Sequence, residues 1–123
     1  MKIGLDLDFT ITELPEFFSI LSTALMKAGH EVFIITYRDE ELKPVTISQL
    51  TKMHIRYTKL FMPEGDVDMA KWKGKLAEDL DLDIMIDDSP EVLDAMPPKT
   101  RRMWLCDPNV FSLRTCLEAL KKK

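Results

Sequence analysis

The run Val32-Phe33-Ile34-Ile35 is apolar at every position and is followed by the polar stretch Thr36-Tyr37-Arg38-Asp39. Successive residues of a strand face opposite ways, so four apolar side chains in a row need cover on both faces. That pattern belongs inside a parallel sheet with helices on each side. Four other segments read as strands: Ile3–Leu7, Tyr57–Met62, Asp83–Asp88 and Arg102–Cys106. Helical patterns alternate with them. Pro15 opens a helix carrying Phe18, Leu21, Leu25 and Met26 on one stripe, stopped by Gly29. Pro44 opens a second through Ile55, with Ile47, Leu50 and Ile55 inward, and Asp66 caps a third running to Leu80. Ser89-Pro90 starts a short helix through Met96, ended by Pro97-Pro98, and Phe111 to Leu120 form a last one.

Strands and helices alternating at this spacing predict βαβ units with right-handed crossovers. The expected fold is a three-layer, Rossmann-like, doubly wound α/β sheet, mainly parallel, with about five strands. The 123 residues suffice for one domain spanning residues 1–123. A net charge of -4 leaves nothing global to attract nucleic acid or anionic lipid, and Arg101-Arg102 and Lys121-Lys122-Lys123 are too short for binding tracts. No apolar run reaches the roughly 18–20 residues of a membrane span, and the N-terminus opens into a strand rather than a signal peptide. A cytoplasmic protein is expected. Cys106 and Cys116 match neither a redox nor a zinc spacing and read as reduced, buried thiols. No metal role is expected of His30 or His54, which lie at a helix end and on a helix flank.

Two acids interrupt the first strand pattern in Asp6-Leu7-Asp8-Phe9-Thr10. Alternation starts both carboxylates toward the same side. Two unit charges about 4 Å apart repel by about 1 kcal/mol in water and about 4 kcal/mol at an effective dielectric near 20, so a cation is the obvious compensation. Solvated carboxylates on an exposed edge are the bland alternative. In open α/β sheets, however, ligands bind beyond the carboxyl ends of the strands. Asp6, Asp8, Thr36, Asp87 and Asp88 all fall at or just past such an end, delivered by three separate strands. Taken singly, Thr36 is an ordinary strand-end hydroxyl and Asp87-Asp88 an ordinary helix N-terminus. Their convergence marks the candidate site.

Assembled in order, these residues resemble the haloacid dehalogenase superfamily of phosphohydrolases. Asp6-Leu7-Asp8-Phe9-Thr10 matches that family's Asp-x-Asp-x-Thr motif, Val32 through Thr36 its apolar strand ending in Thr or Ser, and Ile84-Met85-Ile86-Asp87-Asp88 its strand ending in acids. The family also places a lysine before the fourth strand. Phe9 stands where many members have glycine, at a position that can narrow or line the substrate entrance.

Three lysines compete for that role. Met69, Trp72, Leu76 and Leu80 form the apolar stripe of the third helix, and Lys73 lies within about 60° of its centre while Lys71 and Lys75 point away. Lys73 is favoured, with Lys71 and Lys75 as alternatives.

The resemblance implies a Mg²⁺-dependent phosphatase acting on a phosphate monoester, with Asp6 as nucleophile, Asp8 as general acid and base, and Thr36 and Lys73 holding the phosphoryl group. Thr36 would act through its hydroxyl or its backbone N–H. Tyr37 and Arg38 are further candidates for touching substrate phosphate, although surface loop positions suit them too. The metal would be held by Asp6 and Asp88, with Asp8 contributing its backbone carbonyl and Asp87 standing behind, positioning Lys73.

Substrate specificity in the family usually comes from cap insertions after the first or third strand. Only Thr10 to Leu14 and Pro63 to Gly65 stand there, so no cap domain is expected. An uncapped site suits a large phosphorylated substrate (a protein, a glycan, or a nucleic acid only through a phosphorylated end) or a lid from a homo-oligomer. A small phosphate ester remains open. The competing readings are a receiver-like signalling domain and a catalytically silent Mg²⁺- or phosphate-binding fold. A receiver carries adjacent acids after its first strand and a lysine after its fifth. Here the first acids are spaced by one, and Lys99 precedes the late strand.

Overall fold

The computed structural model describes residues 1–108 and 121. The expected helix Phe111–Leu120, and Cys116 with it, lies outside the described residues. Within them the strands are β1 (Lys2–Leu5), β2 (Glu31–Ile35), β3 (Lys59–Phe61), β4 (Ile84–Asp87) and β5 (Arg101–Trp104). The helices are α1 (Pro15–Lys27), α2 (Lys43–Lys52), α3 (Met69–Leu80) and α4 (Pro90–Asp94). The strands form one sheet in the order β3-β2-β1-β4-β5. Every pairing is parallel, so the sheet is wholly and not merely mainly parallel.

Strand alternation sorts the core into two clusters. Ile3, Leu5, Val32 and Ile34 face one way and pack with Phe18 of α1 and Leu50 of α2. Phe33, Ile35 and Met85 face the other way and pack with Ala77 of α3 and Val92 of α4. Helices therefore cover both faces, as the apolar run in β2 requires. Gly4 sits where β1 meets the second cluster. A Cβ there would stand 2.7 Å from Met85 Sδ and 2.9 Å from Leu82 Cδ1, so any larger residue would push these core side chains aside.

Several local expectations are corrected. The residue capping α3 is Asp68, whose carboxylate accepts the Lys71 backbone N–H at 3.0 Å, not Asp66. In α2 the inward residues are Thr46 and Leu50, while Ile47 is exposed. Ile55 is buried but lies beyond the helix end. Cys106 is half-buried rather than buried. Helix α3 also turns differently from the expected stripe. Met69, Trp72, Leu76 and Leu80 are half-buried on one flank, and Gly74 and Ala77 are buried on the other, with Lys73 between them. A count of large apolar residues misses the second flank because glycine and alanine carry no hydrophobic signal. Gly74 lets the helices approach closely, since a Cβ there would meet the Ala95 carbonyl oxygen at 2.5 Å. Connections of residues 6–14 after β1 and 62–68 after β3 leave no room for an inserted domain. No helix among the described residues is long and apolar enough to cross a membrane.

Candidate active site at the carboxyl rim of the sheet

The strand order reverses between β1 and β4, and the crevice beyond such a reversal is the general ligand position of open α/β sheets. Asp6 follows β1 there, and its backbone N–H donates to the Ile86 carbonyl at 3.0 Å, which ties it to the end of β4. The chain then leaves the sheet through a wide irregular turn at Leu7–Ile11. Phe9 adopts a left-handed φ of 63° in that turn. Asp8 and Asp6 therefore do not share one strand face. Asp6 is buried and Asp8 is half-exposed.

Lys73 reaches from α3 into this crevice. Its ammonium donates to Asp6 Oδ1 at 2.8 Å and to Asp87 Oδ2 at 2.9 Å, and the lysine side chain is only 2% exposed. Lys71 and Lys75 are exposed, and Lys75 pairs with Asp79 along the helix. The other oxygen of Asp6 accepts the Thr10 hydroxyl at 3.0 Å. The other oxygen of Asp87 accepts the Ser89 backbone N–H at 2.9 Å. Asp87 thus holds Lys73 with one oxygen and the start of α4 with the other.

Asp6, Asp87 and Asp88 each offer a carboxylate oxygen, and these three oxygens lie within 4.8 Å of one another. The Asp8 carboxylate is not in that group. Burial pushes the Asp6 carboxyl up to about 6 from an ordinary 3.8, against the pull of Lys73. Burial also raises Asp87, helped by the negative charge of Asp6, and raises Asp88, helped by Asp87. Desolvation opposes the charge on Lys73, but Asp6 and Asp87 together outweigh it and hold the ammonium above its ordinary range. One buried ammonium among three crowded carboxylates leaves an excess of negative charge, and the all-oxygen donor set suits a hard cation.

Thr36 follows β2 and is buried at 1% exposure. Its backbone N–H is taken by the Phe61 carbonyl at 3.1 Å, so the hydroxyl alone remains to serve a ligand. That hydroxyl has no hydrogen-bond partner in the structure. Buried polar atoms are nearly always paired, so an orphan lining a crevice points to something that binds there. The crevice measures about 340 Å³ and is lined by Asp6, Asp8, Thr36, Tyr37, Arg38 and Lys73, among others.

The arrangement of Arg38 was not legible in the sequence. Its guanidinium grips both carboxylate oxygens of Asp8, at 2.8 and 3.0 Å, and donates to Thr46 Oγ1 at 3.1 Å. The bonds to Asp8 raise the arginine further, although it titrates far above any working pH. No sequence periodicity links residues thirty positions apart. The hydroxyl of Tyr37 is engaged with the Val67 carbonyl, and its ring stands 6.5 Å from that of Trp72. It forms a wall of the crevice.

No family model and no curated protein matches this chain. Among solved structures, a chain of the Pnkp1/Rnl/Hen1 RNA repair complex superposes with a TM-score of 0.70 at 16% identity. The match covers 85% of this chain and 42% of that one, so this chain spans less than half of its neighbour's length. At that identity the likeness establishes the fold alone. The fold it supports is a five-stranded parallel sheet with helices on both sides.

Proposed function

We propose that this chain is a Mg²⁺-dependent phosphohydrolase of the haloacid dehalogenase type, cleaving a phosphate monoester through an aspartyl-phosphate. The observation that carries the reading is the buried Lys73 bridging Asp6 and Asp87 in the crevice that Thr36, with its orphaned hydroxyl, also lines. A lysine and a hydroxyl converging on a carboxylate suit a phosphoryl group held against a nucleophile.

A carboxylate oxygen of Asp6 attacks phosphorus while the ester P–O bond breaks, and Asp8, protonated, gives its proton to the departing oxygen. Asp8 then takes a proton from water, whose oxygen attacks the same phosphorus. The bond to Asp6 breaks, releasing inorganic phosphate and restoring the Asp6 carboxylate and the protonated Asp8. Lys73 and the Thr36 hydroxyl hold the phosphoryl oxygens, where charge spreads in the transition state. Lys73 also keeps Asp6 ionised against its burial, and Arg38 orients Asp8. When bound by Asp6, Asp88 and the Asp8 backbone carbonyl, Mg²⁺ supplies charge compensation for the phosphoryl oxygens.

The substrate meets an open crevice without a cap. The likeness to a component of an RNA repair complex supports including phosphorylated nucleic-acid ends among the candidates, and the acidity of the chain argues against a long polyanion. A lid from a second copy of the chain is the alternative cover. The test is a screen of phosphate esters with Mg²⁺ and with EDTA, beside Asp6→Asn and Asp8→Asn. Turnover that needs the metal and both aspartates is expected. Metal-independent turnover, or full activity in Asp6→Asn, would overturn the mechanism, and no turnover on any ester would leave a binding role.

A further inference from the structure

Phe9 is the residue of the rim that neither packing nor backbone preference accounts for. Its φ of 63° lies in the left-handed region, where a side chain is disfavoured and glycine is not. Its ring is 67% exposed, so it contributes little to the core. The backbone is held in place regardless, because the Phe9 N–H donates to Thr12 Oγ1 at 2.9 Å. A bulky aromatic kept out of the core, in a conformation that opposes it, directs attention to what the ring touches.

The ring lines two cavities at once. One is the phosphate crevice, whose other wall includes the half-exposed Tyr37. The second, also about 340 Å³, is mainly apolar and is lined among the described residues by Phe9, Leu14, Leu105 and Pro108, with Glu13 and Asp107. A group esterified to a phosphate in the crevice would leave it past Phe9, toward this second space. A mainly apolar cavity suits an uncharged ring better than a further phosphate.

We propose that Phe9 is a specificity-determining residue that stacks on a planar ring in the alcohol part of the substrate. The ester is then a monophosphate of a ring-bearing alcohol, with a nucleoside or a simple aryl alcohol as the source of the ring. The inference rests on the phosphatase reading for the position of the phosphate, while its own content is the preference for a flat ring.

Two matched pairs isolate the ring from the chemistry of the leaving oxygen. A nucleoside 5′-monophosphate is compared with ribose 5-phosphate, and benzyl phosphate with cyclohexylmethyl phosphate. Wild type is expected to show a KM lower by about fivefold to tenfold for the ring-bearing member, the lower part of the range for one stacked ring. Phe9→Leu, which keeps apolar bulk, brings each pair to within about twofold, and Phe9→Tyr restores the preference. A preference in the first pair alone identifies a nucleobase, and a preference in both identifies any flat ring. Equal affinity within both pairs in wild type, or a Phe9→Leu variant that weakens both members alike, overturns the proposal. Equilibrium binding of the same esters to Asp6→Asn supplies the readout independent of turnover. Failure to hydrolyse any ester counts against the phosphatase reading, and equal binding of the paired esters counts against the stacking subsite.

Discussion

Arg38 holds Asp8 through both carboxylate oxygens, at 2.8 and 3.0 Å, across thirty positions of sequence. The pair fixes where the proposed acid and base points. A planar fork makes two such bonds where an ammonium makes one. Arg38→Ala is expected to lower kcat by about 10- to 100-fold, up to the low end of a whole general acid–base contribution, because Asp8 itself remains. Arg38→Lys should recover only part of it. Asp8 is about half exposed, so the stability change should stay below about 1 kcal/mol. Steady-state kinetics beside urea denaturation separate the two effects.

Lys73 compensates two buried carboxylates at once. Removing one partner of a buried ion pair costs about 3–5 kcal/mol, because the remaining charge is left unpaired. Lys73→Ala should destabilise the metal-free protein by that order, whereas Lys71→Ala and Lys75→Ala, at exposed positions, should stay within about 0.5 kcal/mol. Urea denaturation of the three variants in EDTA checks the ranking. It fails if Lys73→Ala is the mildest.

The raised Asp6 sets a direction for pH. Its folded form keeps a proton up to about 6, while its ordinary value is 3.8. The stability linked to that proton is fully present below pH 3.8 and is lost as pH rises through about 6. At about 1.4 kcal/mol per pH unit, the loss is on the order of 3 kcal/mol. Asp87 and Asp88 are raised as well and act in the same direction. Metal-free wild type should therefore lose stability relative to Asp6→Asn as pH rises from about 3.8 through about 6, the window bounded by the two Asp6 values. Because the proton competes with a cation, Mg²⁺ should raise the melting temperature more at pH 7.5 than at about pH 5.5. Thermal melts over a pH series, with Mg²⁺ and with EDTA, test both statements.

Gly74 joins the fold to the site. Alanine is the better helix former by about 1 kcal/mol, yet its Cβ would strike the Ala95 carbonyl oxygen at 2.5 Å. Overpacking of this kind costs about 1–3 kcal/mol. Gly74→Ala should be net destabilising and should also lower activity, since the neighbouring Lys73 would move with α3. A variant more stable than wild type would show that the helices separate freely.

The legible and illegible parts of the molecule divide on physical grounds. Val32 to Ile35 announced a doubly covered strand because burial on both faces leaves an uninterrupted apolar run. Asp6, Thr36, Asp87 and Asp88 were legible as a rim because each directly follows such a run. Lys73 was reachable from helix geometry, although its place in the middle of the buried face was hidden by the small residues Gly74 and Ala77. The turn at Asp8 and Phe9 escaped the alternation rule because the strand ends at Leu5, and the rule ends with it. The loss of the Thr36 N–H to Phe61 and the grip of Arg38 on Asp8 arise from tertiary pairing, which leaves no local pattern.

The proposed mechanism stands or falls on covalent phosphorylation of Asp6. Acid quenching during Mg²⁺-dependent turnover, followed by mass spectrometry of the peptide carrying Asp6, tests it directly. One added phosphoryl group on Asp6, absent in EDTA and in Asp6→Asn, is the expected result. Phosphate release at full rate from Asp6→Asn would contradict it.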